Sequence, residues 1–339
     1  MKKIIVLFVV LCCSIMIFGA KVATIKEVFK PDSIAIDDRN IYISEKTSVF
    51  IYSLKDYKFK SKFGKPGEGP QEFKNTPFGL ALQIIPQKDY LFIISTNKFS
   101  FFTKEGNFIK EIKTTSIANT AFPIGSNFVK IDFTMDQKSQ TVTITWLLVD
   151  KDMKKIKALS EPRTIPFAQG VLPDNSPQCR TYKNFIVTQL QSDDTITLLI
   201  LDEKGNKIAS INQKADKAKV TQGYMDNYYN FFGQSAQFKP YLEEIKKRTK
   251  FKTYFPPLCP PLMLDDNSIN FFTYKVQNGK QEFYSFNYKG QLLKHTFLPI
   301  SNIADSFLPP LIVVKNNKIY QLIENEETEE LELHAFDIK

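Results

Sequence analysis

Histidine is scarce in this chain of 339 residues, which contains only His295 and His334. A histidine-based metal site or a histidine-activated nucleophile therefore has little material to use. The chain also has no Gly-x-Ser-x-Gly motif, and Gly67-Glu68-Gly69 is not followed by the helical pattern of a phosphate-binding loop. We predict that both histidines are ordinary strand residues, and no catalytic, cofactor-binding or metal-binding residue is assigned.

Long apolar runs are confined to the N-terminus. Lys2 and Lys3 precede the uncharged run Ile4–Phe18, and small residues follow up to Ala20. This pattern predicts a secretory signal peptide over 1–20 and a secreted or periplasmic protein. A retained membrane anchor is the alternative, because the run approaches the length that spans a bilayer. No later stretch is long and apolar enough for a span.

Cysteine is also rare, with four in the chain. Cys12 and Cys13 lie in the apolar run, and either is the lipidated residue if the chain is a lipoprotein. The residues before them are not the small ones that such sites use. Cys179 and Cys259 remain after signal removal. In an oxidising compartment these two can form a disulfide, and the alternative is two separately buried thiols.

The rest of the composition is that of a globular β-rich protein. Hydrophobic residues make up 43% and charged residues 24%, which excludes a disordered chain. The 30 phenylalanines and 14 tyrosines suit pleated, half-buried strands. The net charge of +9 comes from scattered lysines, so we expect a solvated surface and no nucleic-acid partner.

A repeated pattern is the strongest signal in the chain. Each copy has an apolar strand, a short turn rich in Asp, Lys and Gly, and a second strand. The copies are Leu54–Phe59, Phe102–Ile109, Val149–Ile156, Leu201–Ile208 and Phe286–Leu293. The aligned turn positions are Asp56, Gly106, Met153, Gly205 and Gly290. Three of the intervals are about fifty residues, which is typical of propeller blades, and the last is longer by about 35.

The two ends of the chain set the number of blades. Leu333–Lys339 begins a sixth copy, in which Asp337 aligns with Asp202, and it stops before the turn is made. Thr24–Phe29 is a strand with no blade of its own. Pairing these two segments removes the exposed edges of an open ring. We predict an all-β fold over 21–339, a six-bladed β-propeller closed by pairing of its N- and C-terminal strands.

The long interval predicts a small helical insertion between blades 4 and 5, over about 213–262. Tyr224 and Tyr228 recur there at helical spacing, and Pro240 suits the first turn of a second helix. Cations at 246–248 suit that helix's last turn. The insertion is either a lid over one face of the ring or a helical strap packed on a blade edge.

A glycine- and proline-rich loop follows the first blade. Gly permits positive φ and Pro fixes φ, so this run is a shaped loop with an apolar anchor at each end. We predict that it is a structural connection between the first two blades, and its key residues are Phe63, Gly64, Gly67, Gly69, Pro70 and Phe73.

These features together resemble a known family. The loop Gly64–Phe73, the following Pro77–Ala81 and the strand–Asp-x-x-Gly–strand copies are similar to bacterial six-bladed β-propeller proteins related to NHL repeats. The resemblance covers essentially the whole chain after the signal. It implies the fold and leaves the function open, since this fold hosts many activities. The glycine-rich loop is clear only once, which leaves the other blade junctions open.

We therefore expect a non-enzymatic, monomeric binding scaffold that presents one ring face to a protein, peptide or glycan, with no cofactor. The alternative is a calcium-dependent hydrolase. Some six-bladed propellers that hydrolyse lactones or esters hold calcium in the central channel through oxygen ligands from inner strands. Candidates here are Asp32, Asp132, Asp265 and Asp266, which are scattered within the repeat.

Overall fold

In the computed structural model, the chain forms six antiparallel sheets, one for each predicted blade. Neighbouring innermost strands lie side by side for blades 1 and 2, 3 and 4, 4 and 5, 5 and 6, and 6 and 1. The structure describes residues 20–74, 82–114, 120–139, 141–166, 171–173, 177–300 and 303–338. The predicted signal peptide up to residue 19, with Cys12 and Cys13, and the segment Pro77–Ala81 lie outside these ranges.

The strands run from the ring axis outwards in chain order. Blade 1 contains Ser33–Ile36, Asn40–Glu45, Ser48–Ser53 and Phe59–Phe63. Blade 2 contains Gln83–Pro86, Leu91–Ser95, Lys98–Phe102 and Phe108–Lys113. Blade 3 contains Ala121–Ile124, Asn127–Asp136, Thr141–Val149, Lys155–Ala158 and an added strand, Arg163–Pro166.

The second half of the ring has the same order. Blade 4 contains Cys179–Tyr182, Phe185–Leu190, Thr195–Asp202 and Lys207–Lys214. Blade 5 contains Cys259–Leu264, Ile269–Gln277, Lys280–Phe286 and Leu292–Leu298. Blade 6 contains Ile312–Lys315, Lys318–Asn325, Glu330–Asp337 and, outermost, Ala20–Ile25.

The connections carry the remaining elements. Two short parallel pairs join Lys65–Pro66 to Glu72–Phe73 and Val171–Leu172 to Lys250–Phe251. The insertion contains helix α1 (Gln222–Gln234), a 3-10 turn (Lys239–Tyr241) and helix α2 (Leu242–Arg248). Both predicted helices are therefore present. No helix among the described residues is long and apolar enough to span a membrane.

Each sheet buries both faces, because a neighbouring blade lies on either side. In blade 4, Ile196, Leu198 and Ile200 pack against Phe271 and Phe286 of blade 5. The opposite face of blade 4 packs against blade 3. Strands that are covered on both sides are apolar along most of their length, which is the pattern that the sequence shows.

The repeated turn joins the third and fourth strands of a blade. In blade 4, the Asp202 carboxylate accepts the N–H groups of Lys204 and Asn206, and Gly205 has φ +75°. In blade 1 the left-handed residue is Tyr57, at φ 58°, so the alignment of Asp56 with the turn glycines is wrong. The Tyr57 N–H donates to Ser53 O four residues back, which makes this turn one residue longer than that of blade 4.

The turn glycines also permit close contact between blades. Gly290 of blade 5, at φ +78°, lies against the outermost strand of blade 4, and a Cβ there would be 2.6 Å from the Ser210 carbonyl oxygen. Gly106 of blade 2 lies in the same way against the Phe63 ring of blade 1. The repeat therefore uses glycine both for its backbone conformation and for the absence of a side chain.

The pairing of the N- and C-terminal strands closes blade 6, as predicted, but the closing strand is Ala20–Ile25, not Thr24–Phe29. Beyond Ile25 the chain crosses to blade 1. There the Glu27 carboxylate accepts the Tyr52 hydroxyl at 2.9 Å, and the Phe29 N–H donates to Glu45. These contacts hold the chain away from the edge of blade 6.

The insertion comprises residues 215–258, so its predicted end at 262 is wrong. Cys259–Leu264 is the innermost strand of blade 5, although it contains Pro260 and Pro261. The prolines lie at an irregularity in its pairing with Ile269–Gln277. An innermost strand pairs on one side only, so it tolerates residues that lack an N–H.

Replacing Glu332 with glutamine tests the closure. Lys21 donates a hydrogen bond of 2.8 Å to the Glu332 carboxylate, which lowers its pKa more than burial raises it. With further hydrogen bonds to His334 and Asn325, the pKa of Glu332 falls from 4.5 to about 2. A carboxylate whose pKa is lower in the folded chain stabilises the fold above its unfolded pKa, and this effect disappears as the pH falls towards 2. Because Lys21 is half exposed, we expect Glu332→Gln to lower the free energy of unfolding by about 1 to 2 kcal/mol at pH 7.

Urea unfolding of the wild type and Glu332→Gln at pH 7 and pH 2.5 measures this difference, which should shrink at the lower pH. Glu330→Gln is the matched control, because Glu330 meets the same lysine at 3.5 Å from an exposed position. If Glu332→Gln lowers the free energy of unfolding equally at both pH values, the ionised Glu332 carboxylate does not stabilise the closure.

Candidate binding face of the ring

The ring has two faces. The loop face carries the connections between blades and the turns between second and third strands. The turn face carries the turns between first and second and between third and fourth strands. Antiparallel strands place these two sets at opposite ends of every blade.

On the turn face, a buried lysine joins four blades. Lys315 Nζ of blade 6 lies 2.7 Å from Asp38 of blade 1, and 2.9 Å from Asp266 and 3.6 Å from Asp265 of blade 5. Tyr182 of blade 4 donates its hydroxyl to Asp266 at 2.9 Å and lies 3.4 Å from the ammonium. We call these five residues the Lys315 cluster.

One ammonium faces three carboxyl groups in the Lys315 cluster, so its charges are only partly balanced. Burial disfavours the Lys315 ammonium, but hydrogen bonds to Asp38 and Asp266 outweigh it and raise the pKa of Lys315. Lys183 and then Lys315 lower the pKa of Asp266, so both charges persist at neutral pH. These contacts join side chains from four blades, which fits a clamp between blades.

On the loop face, the insertion is held by aromatic rings. Tyr224 and Tyr228 of α1 are buried, and both rings contact Phe307 and Phe251 edge-on. The ring centroid of Tyr224 lies 6.3 Å from those of Phe307 and Phe251. The centroid of Tyr228 lies 4.9 Å from Phe307 and 5.7 Å from Phe251. Phe255 stacks on Tyr274 of blade 5 with ring centroids 4.0 Å apart. These rings contact one another, which favours a packed strap, but the strap lies on the loop face and not on a blade edge.

Polar contacts attach α1 to the connection between blades 5 and 6. Thr221 caps α1 by accepting the Tyr224 N–H at 3.0 Å, and its hydroxyl donates to Asp305 at 2.7 Å. Asn227 donates to the Asp305 carbonyl at 2.9 Å. The cap and the attachment therefore share one threonine.

A cavity of about 240 Å³ lies between the insertion and the innermost strands of blades 4 and 5. None of its lining residues that the structure describes carries a charge. The aromatic part of its wall is Tyr224, Tyr274 and Phe307. Its proline-rich part is Pro173, Pro256, Pro260, Pro309 and Pro310.

Two glutamines provide polar groups in this cavity. Gln178 Oε1 accepts the Leu262 N–H at 3.2 Å, and Gln189 Oε1 accepts the Gln178 N–H at 3.2 Å. Each side-chain oxygen accepts one main-chain N–H, and the two NH2 groups are the donors that these side chains can offer to a ligand oxygen. The cavity therefore combines apolar walls with amide donors.

The predicted structural loop lies between blades 1 and 2. The Phe63 and Phe73 rings lie 4.7 and 6.0 Å from Phe102 of blade 2, and Phe73 is buried. Gly64 and Gly67 have φ of +87° and +146°. Lys98 donates to the Gly69 carbonyl at 2.8 Å, close to Pro70 in the chain.

The structure does not bring the four calcium candidates together. Asp32 lies on the loop face, where it accepts the Lys46 N–H, and Asp132 lies in the second strand of blade 3. Asp265 and Asp266 lie on the turn face in the Lys315 cluster. Within the described ranges, no group of three or more His, Cys, Asp or Glu side chains is placed to hold a metal ion.

Cys179 and Cys259 are buried free cysteines, so the disulfide alternative is wrong for this structure. Each begins the innermost strand of its blade. Cys179 packs in the core between blades 3 and 4, and Cys259 packs in the core between blades 5 and 6. Their side chains therefore belong to different interfaces.

Both histidines lie in strands, as predicted, and each lies against a carboxylate. His295 Nε2 is 3.0 Å from Glu282, which also accepts the Thr273 hydroxyl at 2.6 Å. His334 Nε2 is 2.7 Å from Glu332. Neither pairing was predicted from the sequence.

No protein-family model and no curated protein matches this chain. Solved structures show weak similarity. The β-propeller domain of Cps50 (Swd1) from Myceliophteria thermophila has a TM-score of 0.44 at 9% identity, with 94% of this chain and 99% of that chain covered. The Pan2 WD40 domain from Neurospora crassa has a TM-score of 0.36 at 10% identity, with 91% of this chain and 75% of that chain covered. BamB from Moraxella catarrhalis has a TM-score of 0.31 at 8% identity, with 89% of this chain and 82% of that chain covered.

Such low similarity transfers neither a ligand nor an activity to this chain. The chain's own strand pairing establishes the six-bladed fold. The sequence analysis did not predict the Lys315 cluster or the cavity glutamines. The adjacent acidic pairs Asp37-Asp38 and Asp265-Asp266, at equivalent turns of blades 1 and 5, were the available signal for the cluster.

Proposed function

We propose that this chain is a secreted or periplasmic binding scaffold that holds a peptide segment of a partner protein at its loop face. The neutral cavity between the insertion and blades 4 and 5 carries the proposal. The proposal needs no cofactor and takes the protein as a monomer. Removal of residues 1–20 as a signal peptide would leave Lys21–Ile25 to complete blade 6. The Asp-x-x-Gly turns support kinship with bacterial NHL-repeat propellers.

The cavity favours a peptide over a glycan. Its volume of about 240 Å³ is below the roughly 300 to 1,000 Å³ of sites that enclose a whole small ligand, and it suits one or two side chains. Proline and aromatic walls suit apolar side chains, and the amide donors of Gln178 and Gln189 suit a peptide carbonyl. A sugar ring requires more hydrogen-bond partners than these walls offer.

Leu308→Glu tests the proposal. Leu308 lines the cavity and is 52% exposed, so glutamate there places a charge at a neutral opening with little effect on folding. Selection of a random peptide library on the immobilised wild type should enrich peptides with apolar side chains. The Leu308→Glu variant should bind those peptides at least about tenfold more weakly.

Leu293→Glu is the matched control, because Leu293 is 54% exposed on the outermost strand of blade 5. It should bind the selected peptides like the wild type. Equal binding by Leu308→Glu would contradict the cavity as the site. Calcium-dependent hydrolysis of a lactone panel, or binding on a glycan array that Leu308→Glu removes, would overturn the peptide scaffold.

A further inference from the structure

The turn face has an outer rim, where the third strand of each blade turns into the outermost strand. We define the turn-face rim as the repeated turns of blades 1 to 5 together with the first three residues of each outermost strand. Its segments are 54–61, 103–110, 150–157, 202–209 and 287–294, and all lie wholly within the described residues. Because the blades are related by rotation about the ring axis, these segments lie at one level and can contact a flat surface together.

The turn-face rim is strongly basic. Its 40 residues contain 13 lysines and six acidic residues, a net charge of +7. Lys2 and Lys3 account for the rest of the chain's +9, so the residues outside the rim from 20 onwards sum to zero. Nearer the ring axis, the turns between first and second strands, with one flanking residue on each side, contain five basic and five acidic residues. The fold therefore gathers on one rim the positive charge that is scattered along the sequence.

Most of the rim lysines have no acidic partner. Among the described residues, two of the 13 lie within 4 Å of a carboxylate, Lys58 at 3.9 Å from Asp56 and Lys104 at 2.8 Å from a carboxylate of blade 1. Eleven of the 13 are exposed. Asp150 and Asp202 of the rim accept main-chain N–H groups of their own turns. The rim therefore presents ammonium groups to an anionic partner.

The same rim exposes large apolar side chains. Each of its five segments contains at least one that is 41% exposed or more. They are Phe59, Ile109, Ile156, Ile208, Leu292 and Leu293. Four of them are the second residue of an outermost strand, about 3.4 Å from its start. This position lies within the roughly 5 to 10 Å to which amphipathic elements enter the headgroup region of a bilayer.

The N-terminal segment joins the ring at the same level. The outermost strand of blade 6, Ala20–Ile25, runs from the turn face to the loop face, as its antiparallel pairing with Glu330–Asp337 requires. Ala20 therefore lies at the turn-face end of the blade, and the preceding residues, with the uncharged run Ile4–Phe18, attach there. If this apolar run inserts into a bilayer, during export or as a retained anchor, it brings the turn face to the surface of that bilayer.

We propose that the turn-face rim docks the protein on an anionic lipid bilayer. The lysines contact lipid phosphates, and the apolar side chains of the outermost strands enter the headgroup region beside them. Exposed apolar side chains next to lysines favour a bilayer over a soluble polyanion, which has no apolar layer to receive them. In this orientation the loop face points away from the membrane, so a partner peptide can reach the cavity. The inference goes beyond the proposed function and does not depend on it.

Binding to lipid vesicles tests the docking. The full chain should bind vesicles of equal parts phosphatidylcholine and phosphatidylglycerol at least about 100-fold more tightly than vesicles of phosphatidylcholine alone, since each lysine near an anionic surface contributes about fivefold. A variant with Lys55→Glu, Lys155→Glu and Lys289→Glu together should bind the anionic vesicles about 100-fold more weakly or worse. Added salt should weaken the binding of the wild type.

The matched control combines Lys46→Glu, Lys138→Glu and Lys280→Glu. These lysines are exposed at turns of the loop face, so the control has the same net charge and the same N-terminal segment as the rim variant. It should bind the anionic vesicles within a few-fold of the wild type. Equal binding by the two triple variants, or no preference of the wild type for anionic vesicles, overturns the proposal.

Ile156→Ser combined with Ile208→Ser tests the apolar contribution. This variant should bind the anionic vesicles about tenfold more weakly or worse, and should bind dextran sulfate, a soluble polyanion, like the wild type. If it binds the vesicles like the wild type, the rim recognises only charge and the bilayer is the wrong occupant. Leu308→Glu should bind vesicles normally, whereas Leu293→Glu should bind them more weakly and retain peptide binding. Failure of the docking and failure of the cavity are therefore separate results.

Discussion

Replacing Lys315 with methionine is expected to lower the free energy of unfolding by about 3 kcal/mol. The Lys315 ammonium is the cation of a cluster that joins blades 4, 5, 6 and 1. Its removal leaves Asp265 buried and uncompensated, and Asp265 Oδ1 has no hydrogen-bond partner within the described part of the chain. Removal of one partner from a buried pair costs more than the pair contributes, because the remaining charge stays out of water. Urea unfolding at pH 7 measures the change.

Lys318→Met is the matched control. Lys318 begins the next strand, and its Nζ lies 3.8 Å from Asp337 with both side chains about half exposed. Such pairs contribute little, so this variant should stay within a few tenths of a kcal/mol of the wild type. If Lys315→Met lowers the free energy of unfolding no more than Lys318→Met does, the Lys315 cluster does not hold the blades together.

Replacing Gly290 with alanine is expected to destabilise the fold by about 3 kcal/mol. Two effects add. The residue has φ +78°, which disfavours any side chain, and the new Cβ would lie 2.6 Å from the Ser210 carbonyl oxygen. A backbone oxygen in a strand cannot move without shifting the outermost strand of blade 4. Thermal unfolding measures the loss.

Gly279→Ala separates the two effects. Gly279 has a similar φ of +71°, and no atom lies within 4 Å of the position that its Cβ would take. Gly279→Ala should therefore lower the free energy of unfolding only by the cost of a side chain at positive φ, about 1 kcal/mol. Equal losses for Gly290→Ala and Gly279→Ala would show that contact between blades is not what requires the glycine.

The number of blades could be predicted because its signal is local. The repeated turn is formed by main-chain bonds between residues at most five apart, with a left-handed residue such as Gly205 at a constant place. The two helices of the insertion could be predicted for the same reason, since helical spacing and capping involve neighbours in the sequence. Local patterns were misleading at Pro260-Pro261, where prolines suggested a connector and the chain forms a strand at the channel.

The candidate sites could not be predicted in the same way. Lys315 and Tyr182 are 133 positions apart, and four blades have to meet before their side chains converge. The cavity is formed by three separate connections of the loop face, from Leu172 to Pro310. Apart from the acidic pairs Asp37-Asp38 and Asp265-Asp266, each of these residues is ordinary in its own segment, so no pattern along the chain marks it.

The sequence by itself determined a ring of six blades, closed by pairing of its two ends, with a helical segment between blades 4 and 5. Such features depend on turn chemistry and strand alternation, which act between near neighbours. Only the tertiary structure decided that a lysine lies among three carboxyl groups on the turn face and that the insertion covers a cavity on the loop face. Burial and charge pairing depend on segments far apart in the chain.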